Sequence, residues 1–335
     1  MVQVKTKTDL AIFGGPKVIK RDIKVHNPIG LRERLASDRV LRTGVLSKYL
    51  GTWHPDFFGG PEVRKFESKC AEFFNAKHAV AVNSWTSGLI AAIGAIGINP
   101  GDEIITSPWT MSATATAILH WNAIPVFADI DPLTFNLDPT SVESQVTSRT
   151  KAILAVDIFG QLSNLIKLRE IADRHNLKII SDSAQSPGAL INGKYASELI
   201  DISGISLNYH KHIHTGEGGV ILTNNEELSF RMQLIRNHAE SVVSGAGVNN
   251  IANMIGYNFR MGEIEAAIGF QQLKKLKSII KRLEENANYL TLLLSKLPGL
   301  RTPSHSENLE NVYYAYPLVL DSRYIKAPRS SIVSA

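Results

Sequence analysis

Cysteine is almost missing: Cys70 stands alone among 335 residues. An intrachain disulfide is therefore excluded, as is a metal site built on several cysteines, and a reducing, cytoplasmic setting is expected. Long apolar runs are missing too. The longest, residues 89–98, is broken by two glycines and falls well short of the roughly 20 residues a membrane helix needs. Met1 to Thr8 mixes lysines with polar residues, and Asp9 follows with no apolar core behind it, so no signal peptide is expected. Charge of one sign is scarce. Thirty-six Lys and Arg stand against 31 Asp and Glu, a formal net charge of +5. The one basic cluster, Lys274, Lys275, Lys277, Lys281 and Arg282, is read as a solvated helix face. Nucleic-acid binding is not indicated, while a mildly positive chain suits an anionic, phosphate-bearing ligand. No internal repeat or low-complexity tract is found. No G-x-G-x-x-G follows the first strand, which argues against a dinucleotide-dependent oxidoreductase.

The 44% share of hydrophobic residues is ordinary for a folded chain of one large domain and a smaller companion. From residue 77 to 224, short β-branched runs alternate with helical stretches. Strands are expected at 79–82, 103–106, 125–128, 152–156 and 178–181, and helices at 87–98, 112–120 and 165–175. Strand and helix in turn predict an α/β domain with a mainly parallel sheet, whose ligands gather at the carboxyl ends of the strands. After Gly262 two long helices are predicted, over 263–272 and 276–297, followed by a Pro298-Gly299 stop and a strand-like 313–320.

Three stretches carry candidate chemistry. Lys211 lies between the apolar run 199–207 and the turn Thr215-Gly-Glu-Gly-Gly219, before a second strand at 220–223, where a partly buried amine can meet a carbonyl. His210, His212 and His214 alternate around it and would share one face in an extended segment, the pattern of a metal site. Yet Glu217 is the only acid nearby. Asn83-Ser84-Trp85-Thr86-Ser87-Gly88 opens a helix after a strand, a place for an anion or simply for an N-cap. Ser181-Asp182-Ser183-Ala184-Gln185 also follows a strand, where an acid can pair with a protonated ring nitrogen or cap a turn. A phosphate cradle, a carboxylate and a lysine in this order form the set that pyridoxal 5′-phosphate (PLP) requires.

From about Val25 to Leu320 the chain closely resembles the DegT/StrS family of PLP-dependent sugar aminotransferases. The shared landmarks are Asn83 to Ser87, Pro100-Gly-Asp-Glu103, Pro125 to Asp131, Phe159-Gly-Gln161, Asp182-Ser-Ala-Gln185, Lys211 with Thr215 to Gly219, and Gly256 to Met261 followed by Glu263. The resemblance implies a fold type I architecture: an N-terminal arm and substrate-side segment over 1–60, a large PLP-binding domain over 61–262 with a mainly parallel seven-stranded sheet, and a partial small α/β domain over 263–335. Relatives continue beyond the position matching Ala335, so a truncated small domain is expected.

By position, the resemblance makes Lys211 the Schiff-base lysine and Asp182 the partner of the pyridine nitrogen. Gln185 approaches the ring hydroxyl. Ser84, Trp85, Thr86 and Ser206 surround the phosphate, and Asn258 reaches the phosphate of the partner subunit in a homodimer. Where relatives place an aromatic that stacks on the ring, this chain has Met111, so Met111 or Trp109 is expected to cover it. Trp53, His54, Phe57, Phe58 and His212 are candidates for choosing the substrate, although 53–60 reads equally as a packed turn.

The implied reaction moves an amino group from glutamate or glutamine to a keto-sugar, nucleotide-linked in many relatives, for aminosugar, polysaccharide or secondary-metabolite synthesis. Two alternatives stand beside it. One is a PLP-dependent sugar dehydratase, in which a histidine takes the lysine position. The other is a non-catalytic or regulatory relative with an incomplete small domain, which would expose apolar helix faces.

Overall fold

The computed structural model describes residues 11–22, 27–304 and 308–334; Met1 to Thr8 and Ala335, read above, lie outside the described residues. In chain order the strands of the central sheet are β1 (His78–Val82), β2 (Glu103–Thr106), β3 (Ile124–Phe127), β4 (Thr150–Val156), β5 (Lys178–Asp182), then, after the short β6 (Leu190–Ile191), β7 (Ile202–Ser206) and β8 (Gly219–Thr223). They form one seven-stranded sheet ordered β1-β8-β7-β5-β4-β2-β3. Only β8 runs against its neighbours, pairing antiparallel with both β1 and β7. This is the mainly parallel seven-stranded sheet that the alternating pattern and the resemblance predict.

The inner strands are buried along nearly their whole length because helices cover both faces, as parallel sheets require. Of the helices α1 (Leu31–Thr43), α2 (Pro61–Phe73), α3 (Trp85–Ala95), α4 (Ser112–Leu119), α5 (Pro139–Ser144), α6 (Leu165–His175), α7 (Ala196–Leu199) and α8 (Glu226–Arg236), α2, α3, α4, α6, α7 and α8 pack on the strands, and α5 packs on α6. Period-two alternation sends Ile180 and Leu154 into one core layer with Leu89 and Ile93 of α3, and Ile179 and Ile153 into the other with Leu168 and Ile171 of α6. A third cluster packs Phe66 and Cys70 of α2 beneath β8.

Beyond β8 the chain continues through α9 (Glu263–Leu273) and α10 (Leu276–Leu294). Helix α9 packs on α1 and α2. The Glu263 carboxylate accepts the Glu62 N–H at 2.9 Å and so caps α2 across 201 residues of sequence. The basic cluster is not uniformly a solvated face. Lys275 meets the buried Glu33 at 2.5 Å and the Pro28 carbonyl at 2.8 Å. Burial alone would raise the Glu33 carboxyl, but Lys275, the Gly30 N–H and Gln272 hold it near 2.

The strand expected over 313–320 is largely absent. Only Val319–Leu320 is a strand, paired antiparallel with Leu300–Arg301. Residues 312–315 dock instead on the turn after β4: the Val312 N–H donates to the Gly160 carbonyl at 2.8 Å and the Ala315 N–H to that of Phe159 at 3.3 Å. These tertiary bonds override the local β preference of three tyrosines. Among the described residues, no helix is long and apolar enough to cross a membrane.

Candidate active site

Strands β4, β5 and β7 end side by side at Val156, Asp182 and Ser206, and all three residues line a cleft of about 400 Å³. Its other walls come from the start of α3, from Thr110 to Ala113, and from the turn that carries Lys211.

Helix α3 begins where β1 stops. Ser84 sits in extended backbone and its hydroxyl accepts the Ser87 N–H at 3.0 Å, which leaves Trp85 and Thr86 as the first two helical residues. Their N–H groups have no acceptor within a helix and, with the exposed Thr86 side chain, make an anion site at the positive end of the helix. The start of α3 lies close against β7 and β8. A Cβ on Gly204 would stand 2.0 Å from the Trp85 ring, and one on Gly219 would stand 2.9 Å from Trp85 backbone. Glycine at these two places lets the helix start approach the sheet.

Trp85 turns its indole N–H onto Asp182 at 2.6 Å, and the buried Thr114 hydroxyl donates to the other carboxylate oxygen at 2.9 Å. Asp182 is 6% exposed, and these side-chain donors are neutral. Burial pushes its carboxyl upward, against the pull of Thr114, Trp85, the Ala184 N–H and the more distant Lys211 charge. A buried carboxylate held only by neutral donors suits a cationic ligand atom, and a ring nitrogen that carries a proton is one.

Lys211 follows β7 in a turn closed by the Thr215 N–H on the Leu207 carbonyl, with Gly216 at φ +89°. Its ammonium stands 4.4 Å from the centre of the Tyr314 ring. Burial pushes its pKa down, with the Asp182 charge opposing, which is the direction a nucleophilic amine needs. Gln185 lines the cleft while its side-chain oxygen accepts the Phe159 N–H at 2.9 Å.

The three histidines part company. His210 lies against the Tyr209 ring, His214 accepts the Gly216 N–H, and His212 is buried with its Nε2 donating to the Val312 carbonyl at 2.8 Å. No single face collects them as an extended segment would. Burial lowers the His212 pKa from 6.5 to about 4, so the ring is neutral and ties the lysine turn to residues 312–315. Between those two values the unfolded chain takes up a proton that the folded ring refuses. Stability should therefore fall as pH drops from 6.5 toward 4, by at most about 3 kcal/mol from this residue. Melting temperatures of His212→Gln across that window should show a flatter pH slope than the unchanged protein.

Ser84, Trp85, Thr86, Met111, Asp182, Gln185, Ser206 and Lys211 thus meet in one cleft. Other candidates do not. Trp109 stacks on Phe135 at 6.3 Å outside the cleft lining, and Met111, 70% exposed, takes the position at its mouth. Trp53 packs on Phe57, Phe58 and Phe230, and the His54 ring caps the short helix Pro55–Phe58. This segment packs on itself and on Phe230 and does not line the chain's own cleft. Asn258 also lies outside it, accepting from Arg260 at 2.7 Å. Two contributors had no sequence signal: Tyr314, 103 residues beyond Lys211, and Thr114, whose hydroxyl faces inward from α4.

The residues present fit PLP: free amides at a helix start for its phosphate, a buried carboxylate for its ring nitrogen, and an amine of lowered basicity for its aldehyde. The profile of the DegT/DnrJ/EryC1/StrS aminotransferase family matches residues 53–335. The spore coat polysaccharide biosynthesis protein SpsC of Bacillus subtilis (strain 168) is 36% identical over 313 residues, covering 92% of this chain and 78% of that protein. A crystal structure of DesI in the presence of its TDP-sugar product aligns with a TM-score of 0.84 at 31% identity, covering 97% of this chain and 79% of its own. A GDP-4-keto-6-deoxymannose-3-dehydratase with a trapped PLP-glutamate geminal diamine aligns with a TM-score of 0.81 at 27% identity, covering 92% of this chain and 81% of its own. Fold, cleft and similarity agree, and the chain belongs to the DegT/DnrJ/EryC1/StrS aminotransferase family, PLP-dependent enzymes of fold type I.

Proposed function

We propose that this chain transfers an amino group from glutamate or glutamine to a keto-sugar, specifically a nucleotide-linked keto-deoxyhexose, for aminosugar or polysaccharide synthesis. The observation that carries the proposal is the pairing, in one cleft, of an amine of lowered basicity at Lys211 with the buried carboxylate of Asp182. When bound, PLP supplies an electron sink for the charge left as a proton leaves the amine-bearing carbon. Lys211 would hold the cofactor, and its amine would carry that proton. Asp182 would keep the ring nitrogen protonated, and the Trp85 and Thr86 amides with the Thr86 hydroxyl would orient the phosphate. DesI, crystallised with its TDP-sugar product, and SpsC, named for polysaccharide biosynthesis, support a sugar acceptor.

The lysine at 211 favours transamination over dehydration. A cytoplasmic homodimer completes the proposal, with Asn258, whose side-chain oxygen accepts from Arg260 outside its own cleft, serving the partner's phosphate. The test is to incubate the PLP-loaded protein with glutamate and a panel of nucleotide-linked keto-sugars. Stoichiometric 2-oxoglutarate and an aminated sugar are expected. Sugar dehydration without an aminated product would overturn the assignment.

A further inference from the structure

Behind Asp182, on the opposite face of the sheet, a second acid is fully buried. Asp157 directly follows β4, and its carboxylate accepts three hydrogen bonds: from the Ser163 N–H at 2.7 Å, from the Ser183 hydroxyl at 2.7 Å and from the Ser181 hydroxyl. Two of those donors are the residues on either side of Asp182. The Asp157 N–H also donates to the Asp182 carbonyl at 3.1 Å, and the Ser183 N–H to that of Gly204 on β7.

Strand alternation explains the geometry. Ile180 faces the α3 core layer and Ile179 the α6 layer, so Asp182 points with Ile180 toward the cleft, while Ser181 and Ser183 point away from it. One carboxylate therefore grips the backbone before and after Asp182 from behind, while Trp85 and Thr114 hold the Asp182 side chain from the front. Space filling does not account for this choice. Burial pushes the Asp157 carboxyl up to about 6, a destabilisation that an apolar residue of similar volume would avoid.

We infer that Asp157, acting through Ser181 and Ser183, is a positioning residue that fixes the Asp182 carboxylate against the cofactor's ring nitrogen. The inference rests on the assignment of Asp182 given above. Hydroxyl donors from both flanks to one acceptor restrict the rotation of the short segment 181–183, which no single capping bond would do. The carboxylate then keeps one orientation in the cleft.

The test uses PLP-loaded protein and two variants, Asp157→Asn and the pair Ser181→Ala with Ser183→Ala. Two quantities are read: the dissociation constant for PLP, from absorbance, and the single-turnover rate with glutamate alone. Both variants should weaken PLP binding by about tenfold, the usual effect of losing an outer orienting partner. Each should slow the glutamate step by about 100-fold, as expected for a misplaced group, with the half-saturating glutamate concentration unchanged. Placed on Asp182→Asn, the serine pair should add no further loss in either quantity. An unchanged affinity and rate in the serine pair, or losses that multiply with those of Asp182→Asn, would overturn the inference. Should Asp157→Asn fail to fold, the serine pair decides. An Asp182→Asn protein with unchanged affinity and rate would instead bring down the assignment of Asp182, and this inference with it.

Discussion

Lys211→Ala protein is expected to lose the visible absorbance of covalently held PLP and at least about 10³-fold in turnover, since one amine both holds the cofactor and moves the proton. The change should be local. Lys211 lies in a turn whose closing bonds are made by backbone groups of Leu207, Thr215 and Gly218, none of which involves its side chain. Its ammonium lies over the Tyr314 ring, so truncation removes one cation–π contact, worth about 1 kcal/mol when partly exposed. Melting temperature should change little, and PLP should still bind reversibly through the α3 amides and Asp182. Absorbance at saturating PLP, borohydride trapping and turnover check the three parts. A Lys211→Ala protein that retains borohydride-reducible cofactor and full turnover would remove Lys211 from its role.

How much of this was legible follows the range of the interactions. Strands β2 and β5 and helix α6 lie within a residue of the spans expected from sequence, because apolar runs bounded by turn residues decide them locally. Asp182 ends β5, Thr86 lies in the first turn of α3 and Lys211 follows β7 in a turn, so the order of strands and connections put all three at the same end of the sheet. The α2 cap from Glu263 and the buried pair of Lys275 with Glu33 were hidden, since their partners lie more than 200 residues apart. Residues 313–320 misled for the same reason. Tyrosine and valine favour strands, but Tyr313 takes φ +52° so that its neighbours reach Phe159, Gly160 and His212. Trp53 and Trp109 were equally ambiguous. An aromatic beside a glycine or proline turn has the same sequence appearance whether it packs on phenylalanine, as both do, or faces a substrate.

Asp182→Asn should be the next most damaging change, at about 10² to 10³-fold in turnover, while leaving the lysine attachment of PLP in place. Asparagine is nearly isosteric, and its carbonyl oxygen can still accept from either Trp85 or Thr114. With that oxygen on the Trp85 N–H, the amide N–H₂ can donate to the Thr114 hydroxyl, which is also an acceptor, so the side chain stays held within the buried site. What is lost is charge. A neutral amide no longer stabilises a proton on the ring nitrogen, and the nitrogen's own basicity then decides its state. The loss should thus be greatest at alkaline pH and shrink as acid protonates the ring directly, the reverse of the unchanged enzyme, whose carboxylate is itself neutralised as pH falls. Single-turnover rates with glutamate, measured across pH on both proteins, check the sign. Parallel pH profiles would show that the carboxylate at 182 acts on packing alone, whereas converging rates at low pH would identify it as the group that keeps the ring charged.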